Sequence, residues 1–229
     1  GNRVMTSPDG INWTARTTDT DNDWYSICWS PDLMLFVATE ATASSNRVLT
    51  SPDGINWTAH ATSADNSWHA ICWSPELMLF AAVAGTGTGN RVMTSPDGFN
   101  WTARTSAVDN NWHAICWSPE LMLFAAVADS GSSNRVMTSP DGINWTVRTS
   151  AADNSWRSIC WSPELMLFAA VAYFGTGNRV MTSPDGINWT ARTTAVDNNW
   201  HSICWSPELM LFAAVAYTGT GDRVMTSRT

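Results

Sequence analysis

The chain has 229 residues, 44% hydrophobic and 14% charged, with 12 basic against 20 acidic residues and a formal charge of −8. Disorder and coiled coil are excluded by that composition. All twelve basic residues are Arg; an acidic chain without a basic cluster is a poor binder of nucleic acids and anionic membranes, and no apolar run approaches the roughly 18 residues of a membrane span.

The chain opens Gly1-Asn2-Arg3-Val4, which does not read as a signal peptide. The triplet Asn-Arg-Val begins at Asn2, Asn46, Asn90, Asn134 and Asn178, and a variant begins at Asp222, so every step is 44 residues. The unit from Asn90 to Ser133 differs from that of Asn178 to Gly221 at seven of 44 positions, the mark of recent amplification or of engineering. The chain thus reads as one domain over residues 1–229: five near-identical copies plus a partial sixth over 222–229.

One unit predicts four strands in chain order. Trp68–Ser74 alternates faces and is rich in aromatic and β-branched residues; call it strand A. Pro75-Glu76 makes a turn, and the apolar run Leu77–Ala84 suits a strand B buried on both faces. A helix over Glu76–Ala84 is disfavoured because the run ends in Ala-Val-Ala-Gly without an amphipathic face. Gly85–Gly89 is a flexible connection, Arg91–Ser95 is strand C, Pro96-Asp97-Gly98 is a hairpin turn, and Phe99–Arg104 is strand D. Four strands every 44 residues match a β-propeller blade, so the expected fold is an all-β, five-bladed β-propeller with four antiparallel strands per blade.

The ends predict the closure. A, B and D strands number five and C strands six, so the chain begins and ends mid-blade. A ring closed by N- and C-terminal strands in one blade needs the D strand at Ile11–Arg16. Two C strands, Arg3–Ser7 and Arg223–Ser227, then compete for one slot. The first is favoured because Arg228 breaks the hairpin motif of the last copy, leaving Asp222–Thr229 to self-associate with a second chain.

The C–D hairpin, Ser7-Pro8-Asp9-Gly10-Ile11-Asn12-Trp13, recurs at Ser51, Ser95, Ser139 and Ser183. It resembles the Asp-box of sialidase-type (BNR) repeats, S-x-D-x-G-x-T-W, with Gly directly after Asp and Trp one residue early. The residue types assign Asp9, Asp53, Asp97, Asp141 and Asp185 to accepting turn N–H groups, and Trp13, Trp57, Trp101, Trp145 and Trp189 to covering the hairpin. The resemblance likewise implies a structural box away from the active face. In that family, sialidase chemistry needs an Arg cluster, a Tyr–Glu pair and an Asp acid drawn from different blades. Here Arg recurs in every copy, Tyr occurs only at 25, 173 and 217, and Glu40 is the only Glu outside the Pro-Glu turns, so no enzyme is expected.

Cys28, Cys72, Cys116, Cys160 and Cys204 share one repeat position, too far apart for disulfides, and read as small buried hydrophobes with neither metal nor cofactor. The copies differ most in the D–A and B–C connections. After the first Trp of strand A come Tyr25, His69, His113, Arg157 and His201, and after strand B come Ala41, Gly85, Asp129, Tyr173 and Tyr217. Tyr25, His69, His113, Arg157, His201, Asp129, Tyr173 and Tyr217 are therefore the candidate ligand contacts; drift on a tolerant surface is the alternative. Asp-Asn at 21–22, 65–66, 109–110, 153–154 and 197–198 is a turn device or a repeated polar contact. The expected function is non-catalytic, multivalent and lectin-like binding of a glycan, by similarity of architecture to five-bladed tachylectin-like lectins. The alternative is a structural or protein-interaction scaffold.

Overall fold

A computed structural model describes residues 3–42, 47–175 and 177–228. Gly1, the repeat starts Asn2 and Asn46, and Thr229 of the partial sixth copy lie outside them. Every regular element described is a strand, and no helix among the described residues is long and apolar enough to cross a membrane.

The chain forms two compact units, Gly1–Ser106 and Ala107–Thr229. In the first, β1 (Val4–Thr6) and β2 (Thr14–Arg16) make a two-stranded sheet. Two four-stranded sheets follow: β3 (Trp24–Ser30), β4 (Leu35–Glu40), β5 (Val48–Ser51) and β6 (Thr58–His60), then β7 (Trp68–Ser74), β8 (Leu79–Ala84), β9 (Val92–Ser95) and β10 (Thr102–Arg104). The second unit holds β11 (Trp112–Ser118), β12 (Leu123–Ala128), β13 (Val136–Ser139) and β14 (Thr146–Arg148) in one sheet. Its next sheet is β15 (Ser155–Ser162), β16 (Leu167–Phe174), β17 (Val180–Ser183) and β18 (Thr190–Arg192). A three-stranded sheet of β19 (Trp200–Ser206), β20 (Leu211–Ala216) and β21 (Val224–Arg228) completes it. Strands pair antiparallel with their sequence neighbours throughout.

Two strands start later than the sequence suggests, because side chains take the backbone N–H groups at their beginnings. Ser74 Oγ accepts from Leu77 N–H at 3.2 Å and Met78 sits at φ 48°, so the turn extends through Met78 and β8 starts at Leu79. Asp97 Oδ1 accepts from the N–H groups of Phe99 and Asn100, both at 2.8 Å, so β10 starts at Thr102.

The apolar B strands β4, β8, β12 and β16 are largely buried on both faces because sheets stack on them, whereas β20 is only partly buried. In the first unit Leu35, Val37 and Val48 pack against Trp68, Ile71, Phe80 and Trp101 of the next sheet. The Phe80 ring lies 4.5 Å from that of Trp73 and 6.3 Å from that of Trp101. Gly98, at φ +80°, sits so close to the neighbouring sheet that a Cβ would be 2.7 Å from Leu35 Cδ2. The acidic residue of the A–B turn also ties sheets together: Trp73 Nε1 donates to Asp32 Oδ2 at 2.9 Å, and Trp161 Nε1 to Glu120 Oε2 at 2.6 Å.

The ends depart from the expected closure. The described strands make six sheets, two of them incomplete, and no sheet combines N- and C-terminal strands. The place beside β20 belongs to Val224–Arg228, so this part of the segment expected to be displaced, Asp222–Thr229, is not, and among the described strands β1 pairs with β2 alone. The local tether explains this. Arg223 Nε donates to Gly219 O at 2.6 Å, as Arg91 does to Gly87 O and Arg135 to Gly131 O, so the loop shape that sets C beside B survives the loss of the downstream hairpin motif.

The cysteines are free thiols but less buried than expected: Cys28, Cys72, Cys116 and Cys160 are half-buried and Cys204 is exposed. Burial pushes Cys28 up to about 11 and Cys160 to about 12.

Candidate functional site

In all five A–B pairs the register shifts directly after the first Trp of strand A, and β15–β16 shifts a second time between Ser155 and Trp156. Trp112 faces Ala128 and Ala114 faces Val127, leaving His113 as the extra residue of a β-bulge; Tyr25, His69, Arg157 and His201 stand in the same position. A bulge raises the local twist and re-aims the side chain, so the most variable residue of strand A is also the one the ladder does not constrain.

The second variable position closes the same corner. Asp129 N–H donates to Asn111 O at 3.1 Å and Tyr217 N–H to Asn199 O at 2.8 Å, which sets the residue after strand B beside the start of strand A. Tyr173 and Phe174 prolong β16 to eight residues, against six in β12 and β20, because aromatic residues favour extended backbone.

In the second unit these positions converge. Arg157 Nη1 lies 2.7 Å from His113 Nε2 and 3.4 Å from Asp129 Oδ2, and His113 Nε2 lies 3.0 Å from the same carboxylate oxygen. The Arg157 guanidinium sits 5.5 Å from the centre of the Tyr173 ring. Around Tyr173 stand Phe174 at 4.5 Å, Tyr217 at 6.0 Å and His201 at 6.3 Å between ring centres. His113 is buried, Arg157, Asp129 and Tyr173 are half-buried, and His201, Phe174 and Tyr217 are exposed. Together they form a charged corner with an aromatic shelf facing solvent.

Two groups of this corner are shifted downward by their surroundings. Burial raises the Asp129 carboxyl, but hydrogen bonding from His113 and the charges of His113 and Arg157 outweigh it and hold the group below the ordinary carboxylate value. His201 is pushed down, first by burial and then by Arg157 and His113.

The supporting loops are braced from below. Arg135 Nη1 donates to Asp129 O at 2.9 Å and Arg179 Nη1 to Tyr173 O at 3.2 Å. The Asp-Asn pairs are loop braces: Asp197 Oδ1 lies 2.6 Å from Arg179 Nε, and Asn110 Nδ2 donates to Asn134 O at 2.8 Å. Gly131, at φ +103°, lies so close to Asn110 that a Cβ would come within 2.5 Å of its amide.

In the first unit the Tyr25 and His69 rings lie 5.2 Å apart. Ala41 and Gly85 occupy the wall positions there, so that corner has neither the carboxylate nor the aromatic wall of the other. The copies are therefore not equivalent at this corner. Phe174 was not singled out by sequence reasoning; its signal was the Tyr-Phe pair where other copies carry a polar or small residue.

The Ser, Asp, Asn and Trp residues of the C–D turns are engaged within their own hairpins. Ser95 Oγ accepts from Gly98 N–H at 2.8 Å, Asn100 Nδ2 donates to Asp97 Oδ2 at 2.8 Å, and Trp101 Nε1 donates to Gly98 O at 3.0 Å. The same Oδ1 contacts recur at Asp9, Asp53, Asp141 and Asp185. Trp57 and Trp101 are buried, Trp145 and Trp189 half-buried, and Trp13 exposed. Among the described residues no three His, Cys, Asp or Glu side chains gather as a metal site.

No family model matches the sequence, and no curated protein is significantly similar to it. Solved structures are similar in fold. A chain of a nidogen–laminin complex matches with a TM-score of 0.64 at 12% identity, over 90% of this chain and 76% of that one. YCF48 bound to a D1 peptide matches with 0.66 at 14% identity, over 94% and 66%. YCF48 from Cyanidioschyzon merolae matches with 0.57 at 15% identity, over 91% and 72%. These likenesses and the repeated four-stranded sheets place the chain among β-propeller repeat folds.

Proposed function

We propose that the chain is a non-catalytic binding module whose corner at Arg157, Asp129, Tyr173, His201 and Tyr217 takes a carbohydrate. The observation that carries this reading is the convergence of an aromatic shelf with an Arg–carboxylate pair on substituted positions of an otherwise uniform repeat. An exposed Tyr face offers a flat apolar surface for the C–H side of a sugar ring, and the half-buried guanidinium and carboxylate offer planar partners to neighbouring hydroxyls. Asp129 is held ionised by its cationic neighbours, which suits a fixed hydrogen-bond acceptor and not a general acid.

The test is a glycan array probed with the whole chain and with Tyr173→Ala and Tyr217→Ala. Binding by the parent that both variants lose, at unchanged melting temperature, supports the reading. Equal binding by all three, or none by the parent, refutes it. A protein-interaction module is the second reading, favoured by similarity to YCF48, whose solved structure holds a D1 peptide. A peptide array read with the same variants separates the two.

A further inference from the structure

Four sheets show what normally lies on the outer edge of a C strand. In each, Val-Met-Thr or its equivalent pairs with strand D in one register, as in Val180↔Arg192, Met181↔Ala191 and Thr182↔Thr190. The D-strand Arg donates to the C-strand Thr, Arg192 Nε to Thr182 Oγ1 at 2.8 Å and Arg104 Nε to Thr94 Oγ1 at 2.9 Å. The Trp before strand D then seats on the preceding sheet: Trp101 joins Leu35, Val37 and Val48, and Trp189 joins Val127 and Leu123. The turn Gly seats beside it, Gly186 against Leu123, Phe168 and Thr138.

At β21 the same residues, Val224-Met225-Thr226, pair with β20 on one edge and with no described strand on the other. Val224 is 64% exposed, whereas Val92 and Val136 are fully buried. Beside it opens a groove of about 610 Å³ lined by Leu167, Thr182, Phe212 and Met225. Leu167, Phe212 and Thr182 are the repeat equivalents of the three residues that receive Gly186. The groove therefore has the shape of a missing Gly-x-Asn-Trp-Thr-Ala-Arg segment.

One such segment is incompletely seated. Trp13 is 56% exposed, against 4% for Trp57 and 8% for Trp101. Among the described strands its strand β2 pairs only with β1, whose residues Val4-Met5-Thr6 repeat the Val224-Met225-Thr226 of β21, and Arg16 Nε donates to Thr6 Oγ1 at 2.8 Å. Moving Thr14–Arg16 from β1 to the β21 edge of another molecule replaces each pairing with an identical one and adds burial of Trp13. The geometry points to β21 and its groove as the acceptor for the Trp13–Arg16 strand of a second copy of this chain. Reciprocal exchange closes a two-fold dimer and covers both β21 edges, each β1 giving up its own partner strand.

Sedimentation velocity on the 229-residue chain over a range of concentrations tests this, with a synthetic peptide of residues 183–193 as competitor. The expected result is a concentration-dependent dimer that excess peptide converts to a peptide-bound monomer. Trp13→Ala should weaken dimerisation by at least about tenfold while still binding the peptide, and Met225→Lys should lose both. A parent monomeric at every concentration overturns the proposal, whether or not the peptide binds. So does a dimer indifferent to Trp13→Ala and to the peptide; the competition needs no variant to fold.

Discussion

Arg157 and His113 occupy the same bulge one repeat apart, and Arg157 Nη1 lies 2.7 Å from His113 Nε2. Tandem copies place like residue beside like, so a single substitution changes two neighbours at once. With Arg at this position the adjoining His gains a donor, and the Asp129 carboxylate of the preceding sheet gains a cation at 3.4 Å. His113 Nε2 can accept from the guanidinium or donate to Asp129, one at a time, so the three groups form a coupled unit.

Arg157→His returns the position to the residue carried at His69, His113 and His201. The fold already accommodates His there, so stability should change by less than about 1 kcal/mol. Ligand retention on a glycan surface should fall roughly 10- to 100-fold, because a charge-assisted hydrogen bond and the cation over Tyr173 are both removed. Retention equal to the parent's would remove Arg157 from the binding surface.

The Asp turn gives a stability test with a defined pH sign. Burial raises Asp97, but hydrogen bonds from Asn100, Phe99 and Ser95 dominate and hold it at about 2, from an ordinary 3.8. A folded value below the unfolded one means the contribution is complete above 3.8 and fades as pH falls towards about 2. Asp97→Ala should lower stability by about 1–2 kcal/mol at neutral pH, and its urea midpoint should fall less than the parent's across that acid window. Asp9→Ala, in the hairpin with the exposed Trp13, should cost less. An unchanged midpoint for Asp97→Ala would mean the carboxylate does not hold the turn.

The period, the four strands per unit and the turn role of Asp97 were legible because each is local and copied. The bulge was not. Trp112-His113-Ala114-Ile115 reads as unbroken alternation, and the extra residue at His113 exists only relative to its partner strand. Variation between copies falls at that same position, since a residue outside the ladder is free to change, and in the second unit His113, Asp129, Arg157, Tyr173, His201 and Tyr217 lie close together. Pairing at the ends was misjudged because the loop that folds Val224 onto Val215 is short and local, and it outweighs the integrity of a motif beyond it.

Glu120 was legible only as a turn residue, since its partner Trp161 lies 41 residues on and is met through sheet stacking. Glu120→Ala should strand the buried indole N–H and cost about 1–2 kcal/mol, whereas Glu120→Gln keeps an acceptor oxygen and should cost less than half as much. Denaturant midpoints for the two variants distinguish an acceptor role from mere turn propensity, because a turn effect would not be rescued by Gln.

Gly131 links loop geometry to the candidate site. Its φ of +103° lies outside the range L side chains ordinarily adopt, and a Cβ there would meet the Asn110 amide and Asn134 Oδ1 at 2.5 Å. Neither neighbour can yield easily, because Asn110 Nδ2 is committed to Asn134 O at 2.8 Å and Arg135 Nε to Gly131 O at 2.9 Å. Gly131→Ala should therefore cost more than about 1 kcal/mol and loosen the loop that holds Asp129 by its carbonyl. Because Asp129 is also the acceptor for Arg157 and His113, the lesion should spread to the corner, so glycan retention should fall even where the protein remains folded. Gly89→Ala is the control: it also has positive φ, at +71°, but nothing within 4 Å of a new Cβ. It should strain the backbone without disturbing the site. Gly89 lies in another copy of the loop, so equal losses of binding in the two variants would show that the Asn110 brace beneath Asp129 does not set the site.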